Sequence, residues 1–210
     1  VQQKLVNMLR GHKELYSDSY PVQRNGRYTL PVKREMKSRV PGTVVDYPVV
    51  QRPQETDYYL YRDFQGKYSL WGCLYVREAC DVFTPSDNVV IYGHRMKDGS
   101  MFAGLNSYTS REFWENHRYL HFDTLYEHHT YEVIAIFKTS ANNGQGFPYH
   151  RFTDAANANE FDTFVADCKA LSIYDTGIIP VYGDQLICLS TCEYTRENGR
   201  FVVMGVDRGA

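Results

Sequence analysis

Apolar and polar positions along the chain fall into short runs of two kinds. Residues 43–50, 68–76, 88–92, 130–139, 185–192 and 201–206 are rich in β-branched and aromatic residues, and Gly, Pro, Asn or Asp bounds each run. That pattern predicts short strands. Pro48 lies inside the first run and has no N–H for a ladder, which predicts an edge strand or a bend there. Two other stretches change to helical spacing. Thr109-Ser110-Arg111-Glu112 has the form of a capping box ahead of Phe113, Trp114 and His117. Residues 155–171 place Phe161, Phe164, Val165, Cys168 and Leu171 on one helical face, with Asp154 as the expected N-cap. Near the N-terminus, Leu5, Met8, Leu9, His12 and Tyr16 recur at helical spacing, so residues 1–16 read as an amphipathic helix. Residues 17–41 contain Pro21, Gly26, Pro31 and Pro41 and read as irregular, with a short helix near residues 33–38. Many short strands interrupted by a few helices predict a mainly β fold, a closed β-barrel with helical decorations. The character of the chain changes at Pro41-Gly42, which separates an N-terminal helical region over 1–41 from a barrel domain over 42–210.

Composition narrows the function. The chain has 210 residues, 43% hydrophobic and 23% charged, with 18 Tyr, 11 Phe and 2 Trp. This is enough apolar material for a core, and it excludes disorder. The formal net charge is −2, whereas a protein that tracks phosphates needs a basic face, so no nucleic-acid partner is expected. No run reaches the ~18 apolar residues of a membrane span. The chain begins at Val1 with no signal-like stretch, and a removed targeting segment is the expectation.

The five cysteines, Cys73, Cys80, Cys168, Cys188 and Cys192, are one too many for complete internal pairing. None forms a C-x-x-C pair, which argues against a zinc ribbon or a thioredoxin-like motif. Two readings stay open: several buried thiols acting as small hydrophobes, or one reactive thiolate among them. The sharpest local signal is the segment Leu189-Ser190-Thr191-Cys192, the polar stretch through Asn198-Gly199, and Arg200-Phe201-Val202-Val203. Asn-Gly is a strong turn signal, so this is a hairpin or close to one. It brings Cys192 at the end of one strand near Arg200 at the start of the next. A guanidinium there favours thiolate and stabilises a developing oxyanion; the plainer reading is a core cysteine beside a surface arginine.

A second segment, Asn88-Val89-Val90-Ile91-Tyr92-Gly93-His94, runs a buried-type strand into a histidine. Loops just beyond strands are where a rigid sheet positions proton-transfer groups. Read alone, His94 is more often a hydrogen-bonded structural histidine. His117, His121, His128 and His129 are close in sequence but lack the H-E-x-x-H arrangement and a completing Cys or Asp, so a metal site is not expected. The loop Asn142-Asn143-Gly144-Gln145-Gly146 lacks the ending of a phosphate loop.

Taken together, Tyr92-Gly93-His94, Leu189-Ser190-Thr191-Cys192 and Arg200 before Phe201-Val202-Val203 resemble a sortase, one of the cysteine transpeptidases of Gram-positive surfaces. Gly42-Thr43-Val44-Val45-Asp46-Tyr47-Pro48-Val49-Val50-Gln51, Asp57-Tyr58-Tyr59-Leu60 with Asp63-Phe64, His94 through Phe102, and the helix near 155–171 followed by Ser172 through Gly177 are similar to class B. The resemblance covers about residues 42–207. It implies a sortase-type barrel of about eight strands with an N-terminal helix or helices and a class B helical insert. It also implies that Cys192 is the nucleophile, His94 the acid and base, and Arg200 the substrate-binding and oxyanion-holding group. Ser190, Thr191 and Glu193 are then substrate-binding positions, with the Glu193 amide as a second oxyanion donor. The implied substrate is a sorting-signal peptide of a surface protein or pilin, cut at a Thr–Gly-type bond. The implied acceptor is an amine of a cell-wall precursor or a pilin lysine. No metal or organic cofactor is implied. The implied location is the extracellular face of the plasma membrane of a Gram-positive bacterium, held by an N-terminal anchor ahead of Val1. Two alternatives remain: a cysteine endopeptidase with water as acceptor, and a non-catalytic β-barrel binding module. The papain-like form of the first is disfavoured because His94 precedes Cys192 and Cys192 ends a strand.

Overall fold

The computed structural model describes residues 23–24, 27–28, 36–124, 127–142 and 144–209. Contacts divide the chain into two units, Val1–Arg34 and Glu35–Ala210. In the first, β1 (Gln23–Arg24) and β2 (Arg27–Tyr28) pair antiparallel. The helix expected over 1–16 lies outside the described residues.

The second unit contains β3 (Met36–Arg39), β4 (Asp46–Gln51), β5 (Leu74–Val76), β6 (Asn88–Tyr92), β7 (Tyr119–Asp123), β8 (His128–Ser140), β9 (Leu186–Glu193) and β10 (Gly199–Asp207). They close a barrel in the order β10-β8-β7-β3-β4-β5-β6-β9, with β9 hydrogen-bonded back to β10. Closure leaves no free edge to template pairing with another chain. Leu74, Val90, Ile91, Ala135, Ile187, Leu189 and Val203 are wholly buried. No helix among the described residues is long and apolar enough to cross a membrane.

Several expected elements shift, each for a local reason. Residues 36–38 form a strand rather than part of a short helix: Met36 and Ser38 are buried, Lys37 and Arg39 exposed, and the period is two. Pro48 lies in an interior strand, opposite Lys37 of β3 and one residue before the β5 ladder begins at Val49, so its missing N–H falls at a junction between ladders. Of the run 68–76 only Leu74–Val76 is a strand. Tyr68, Leu70 and Trp71 are exposed, and Gly72 turns the chain at φ 55°. β7, which the apolar pattern did not reveal, buries only Leu120 and Phe122.

The two helices start later than their sequence signals. α1 (Arg111–Asn116) is capped by Ser110, whose Oγ accepts from the Phe113 N–H at 3.2 Å, not by Thr109. Its Trp114 is buried and donates from Nε1 to the Val133 carbonyl at 3.0 Å. α2 (Ala158–Leu171) is capped by Asn157, which accepts from the Glu160 N–H, while Glu160 reaches back to the Ala156 N–H. Asp154 instead accepts from Ser86 Oγ and the Asp87 N–H. Phe161, Phe164, Val165 and Cys168 form the buried face of α2 as their spacing predicts, but Leu171 is exposed.

Phe161 is wholly buried on that face. Phe161→Ala is expected to lower stability by about 3–5 kcal/mol through lost burial and the cavity left behind. Urea unfolding monitored by tryptophan fluorescence checks this, and a loss under about 1 kcal/mol would mean that α2 packs loosely on the barrel.

Candidate active site

Three strands that neighbour one another bring three candidate residues to one level. β6, β9 and β10 are consecutive in the barrel. β6 and β9 are parallel, with Tyr92 opposite Ser190, and the Gly93 N–H donates to the Ser190 carbonyl at 3.1 Å. Carrying that register on by two residues sets His94 level with Cys192. β10 runs antiparallel to β9 with Arg200 directly opposite Cys192. His94, Cys192 and Arg200 line one cavity of about 320 Å³. The sequence expectation of a hairpin joining Cys192 to Arg200 is met, and its connection spans residues 194–198.

Two glycines make this placement possible. A Cβ on Gly93 would run into Leu74 Cδ2 and the Phe102 ring, so only glycine lets the chain leave β6 this close to the core before His94. A Cβ on Gly199 would meet the Glu193 carbonyl, its opposite residue in the ladder. Asn198, just before it, takes the left-handed conformation at φ 47°, which asparagine tolerates better than most residues.

His94 is held by the β4–β5 connection. Its Nε2 lies 2.6 Å from the Leu60 carbonyl, and its ring is tilted against Tyr61 at 5.2 Å between centroids. A carbonyl only accepts, so Nε2 carries the proton of this bond, which does not engage Nδ1. Arg200 is half-buried. Its Nη1 donates to the Asn198 and Gly199 carbonyls at 3.3 and 3.0 Å.

The positions around Cys192 divide by strand alternation. Ser190 shares the face of Cys192. Its hydroxyl is buried and paired with the Tyr149 hydroxyl at 2.5 Å. Burial pushes the Tyr149 phenol up, with the Ser190 bond working against it, so it stays protonated at neutral pH. Thr191 and Glu193 alternate to the other face. Thr191 is buried, and its Oγ1 has no hydrogen-bond partner among the described residues. Glu193 is buried too. Burial acts to raise its carboxyl, but bonds from Thr195 Oγ1 (2.7 Å), Lys138 Nζ (3.1 Å) and the Thr195 N–H (3.1 Å) outweigh that and hold it low.

The cavity also has walls that sequence reasoning did not select: Asp57, Arg77, Glu78, Tyr149 and His150. Burial, with Arg77, Arg151 and Arg200 nearby, lowers the His150 imidazole and favours its neutral form. The stretch Pro148-Tyr149-His150 carried an aromatic and a histidine just after a recognised loop, but nothing in its spacing tied it to Cys192. The remaining histidines lie elsewhere. His117 stacks on Phe113, and His129 sits between Asp207 and Glu127 carboxylates.

None of the five cysteines is in a disulfide among the described residues. Cys80, Cys168 and Cys188 are buried, and burial pushes their thiols up, that of Cys80 to about 11. They are the small hydrophobes of the first reading, whereas Cys192 is partly open and faces the cavity.

Comparison with known proteins agrees with this geometry. The sortase domain family matches residues 39–207. Sortase B of Staphylococcus aureus is 29% identical over 168 residues, 79% of this chain and 66% of that protein. Sortase B of Listeria monocytogenes is 28% identical over 165 residues, 78% of this chain and 65% of that protein. The crystal structure of sortase B from Bacillus anthracis superposes with a TM-score of 0.74 at 32% identity, covering 85% of this chain and 79% of that one. The chain belongs to the sortase family, and within it to sortase B. It spans 65% and 66% of the length of the two curated relatives.

The Tyr149–Ser190 pair yields a test of how the floor beneath Cys192 is held. Ser190→Ala strands the buried Tyr149 hydroxyl and is expected to cost about 1–3 kcal/mol. Tyr149→Phe together with Ser190→Ala is expected to cost less than the two single losses added, as chemical unfolding of all four proteins will measure; strict additivity would mean the hydroxyls do not interact.

Proposed function

We propose that the protein is a cysteine transpeptidase that cuts a sorting signal at a Thr–Gly-type bond and joins the upstream fragment to an amine, with Cys192, His94 and Arg200 as the reacting groups. The observation that carries the reading is the convergence of these three residues on one cavity from consecutive strands of a sortase B barrel.

The Cys192 thiolate attacks the threonyl carbonyl carbon, and its oxygen takes up the negative charge. Arg200 and the Glu193 N–H stabilise that oxyanion. The C–N bond breaks as His94 gives its Nδ1 proton to the leaving amine, and a thioester on Cys192 remains. An incoming amine attacks this thioester and passes a proton to His94. The C–S bond breaks, the new amide leaves, and thiolate and imidazolium are restored. Ser190, Thr191 and Glu193 belong to the substrate-binding segment in this reading. The acceptor is an amine of a cell-wall precursor or a pilin lysine, and the reaction runs at the outer surface of a Gram-positive cell held by an N-terminal anchor. The residues themselves provide the nucleophile, the proton carrier and the cation, so no metal or organic group enters these steps.

Cys192→Ala is expected to lower turnover of a sorting-signal peptide roughly a thousandfold or more with the fold intact. Mass spectrometry of the wild-type protein with a peptide library should find an acyl adduct on Cys192 that an added oligoglycine discharges as ligated product. Turnover in the alanine variant would exclude the nucleophile assignment, and hydrolysis alone with every amine offered would favour the endopeptidase reading.

Arg200→Lys is expected to reduce kcat/KM by about tenfold or more, because a single ammonium cannot hold both the turn carbonyls and an oxyanion as a planar fork does. Steady-state kinetics equal to wild type would remove Arg200 from the mechanism.

A further inference from the structure

Backbone pairing between β6 and β9 stops short of the reacting residues. Its last register pair is Tyr92 with Ser190, and the Gly93 N–H bond to the Ser190 carbonyl closes it. His94 and Arg95 then enter the loop to Met101, while Cys192 and Glu193 lead into the 194–198 connection. A side chain spans the two segments there. Tyr194 Oη donates to the Arg95 carbonyl at 3.0 Å, and the Arg95 guanidinium lies over the Tyr194 ring, 5.4 Å from its centroid. Asn106 holds the same guanidinium: with its amide oriented to satisfy both groups, its oxygen accepts from Arg95 Nη2, Nε and Nη1 at 2.5, 3.0 and 3.2 Å. The base of the loop is closed by the Phe102 N–H to the His94 carbonyl at 2.9 Å and by the Arg95–Met101 bridge.

Tyr194 is 68% exposed and does not line the cavity. Burial therefore does not explain its place, and substrate contact inside the cavity does not either. Among the described residues its hydrogen bond, through the hydroxyl, and its cation–ring contact both go to the residue that follows His94. It stands two positions beyond Cys192.

We infer that Tyr194 is a positioning residue: its clasp on Arg95 continues in side chains the register that the β6–β9 ladder begins, and so sets His94 against the Cys192 sulfur. This rests on the assignment of His94 and Cys192 to the reaction. The clasp acts on geometry and not on charge, so it governs the step in which His94 transfers a proton and leaves substrate affinity nearly untouched.

The test is Tyr194→Phe, which removes one hydroxyl from an exposed ring and leaves folding intact, with Tyr194→Leu as the variant that removes the ring contact as well. Tyr194→Phe is expected to lower kcat about five- to tenfold with KM within about twofold of wild type, and Tyr194→Leu to lower kcat further. Amide hydrogen exchange should quicken across residues 94–101 in both variants and stay unchanged in β8 and α2. Unchanged kcat in Tyr194→Phe overturns the proposal, whatever the exchange. A raised KM at constant kcat overturns it too and makes Tyr194 a substrate contact. Cys192→Ala assayed beside them separates the two levels: turnover there removes the catalytic reading itself, whereas an inactive Cys192→Ala with a fully active Tyr194→Phe removes only the clasp.

Discussion

Hydrogen bonding across β6, β9 and β10 fixes the level at which each chain leaves the barrel, and the site depends on that level. A parallel ladder cannot be joined by a tight turn, so β6 and β9 meet only because nearly a hundred residues of intervening chain complete the barrel. The β9–β10 pair, by contrast, is a local hairpin whose register follows from a five-residue connection and from Gly199 lying against the Glu193 carbonyl. His94 and Cys192 are thus related by the global fold, and Cys192 and Arg200 by a local one. A slip of one residue in either ladder would turn Cys192 to the opposite face of the sheet.

This difference explains what could be read from the chain. The Cys192–Arg200 approach follows from an apolar run, an Asn-Gly turn and a second apolar run, all between residues 185 and 206. The nearness of His94 to Cys192 has no local cause, and its legibility came from an ordered set of motifs resembling a family. The strongly apolar strands were likewise visible. β6 begins and ends where its apolar run does, whereas β7 and β3 escaped notice because they bury alternate residues only, one of them Ser38, a polar side chain wholly inside. The helix starts erred for a related reason. Thr109 and Asp154 are good caps by type, but each finds another partner: Thr109 Oγ1 the Asn106 carbonyl, Asp154 the Ser86–Asp87 turn. Neighbouring Ser110 and Asn157 then cap. Tyr149 and His150 were illegible because they reach the cavity from a short 3₁₀ turn with no periodic pattern.

The surroundings of Cys192 combine a buried side and a charged side. Beneath it, the buried Ser190 and Tyr149 hydroxyls are hydrogen-bonded to each other. Beside it, Glu193 is neutralised by Lys138 and by Thr195 at the start of the connection. A carboxylate adjacent in sequence to a thiolate would disfavour the thiolate if it were open to the same cavity. Alternation along β9 turns it to the other face, and its ion pair and hydrogen bonds spend its charge there. The same network anchors the first residues of the connection that carries Tyr194 and leads to Arg200.

Arg200 shows how a cation is kept ready without being neutralised. Among the described residues it has no carboxylate partner, and its two hydrogen bonds both leave from Nη1, to carbonyls of its own turn. Carbonyls hold the guanidinium in place without cancelling its charge. They use donors on one nitrogen of a rigid fork that has five, which leaves Nε and Nη2 with theirs. Holding such a group in position before substrate arrives avoids reorganising it when charge develops, and that is where preorganised donors act most strongly. In the proposed reaction a lysine at this place would have to reach both the turn and the oxyanion from a single nitrogen, without the separate, pre-aimed donors of the fork. The turn therefore does two things at once: its backbone sets Arg200 opposite Cys192, and its carbonyls aim the side chain that the register has delivered.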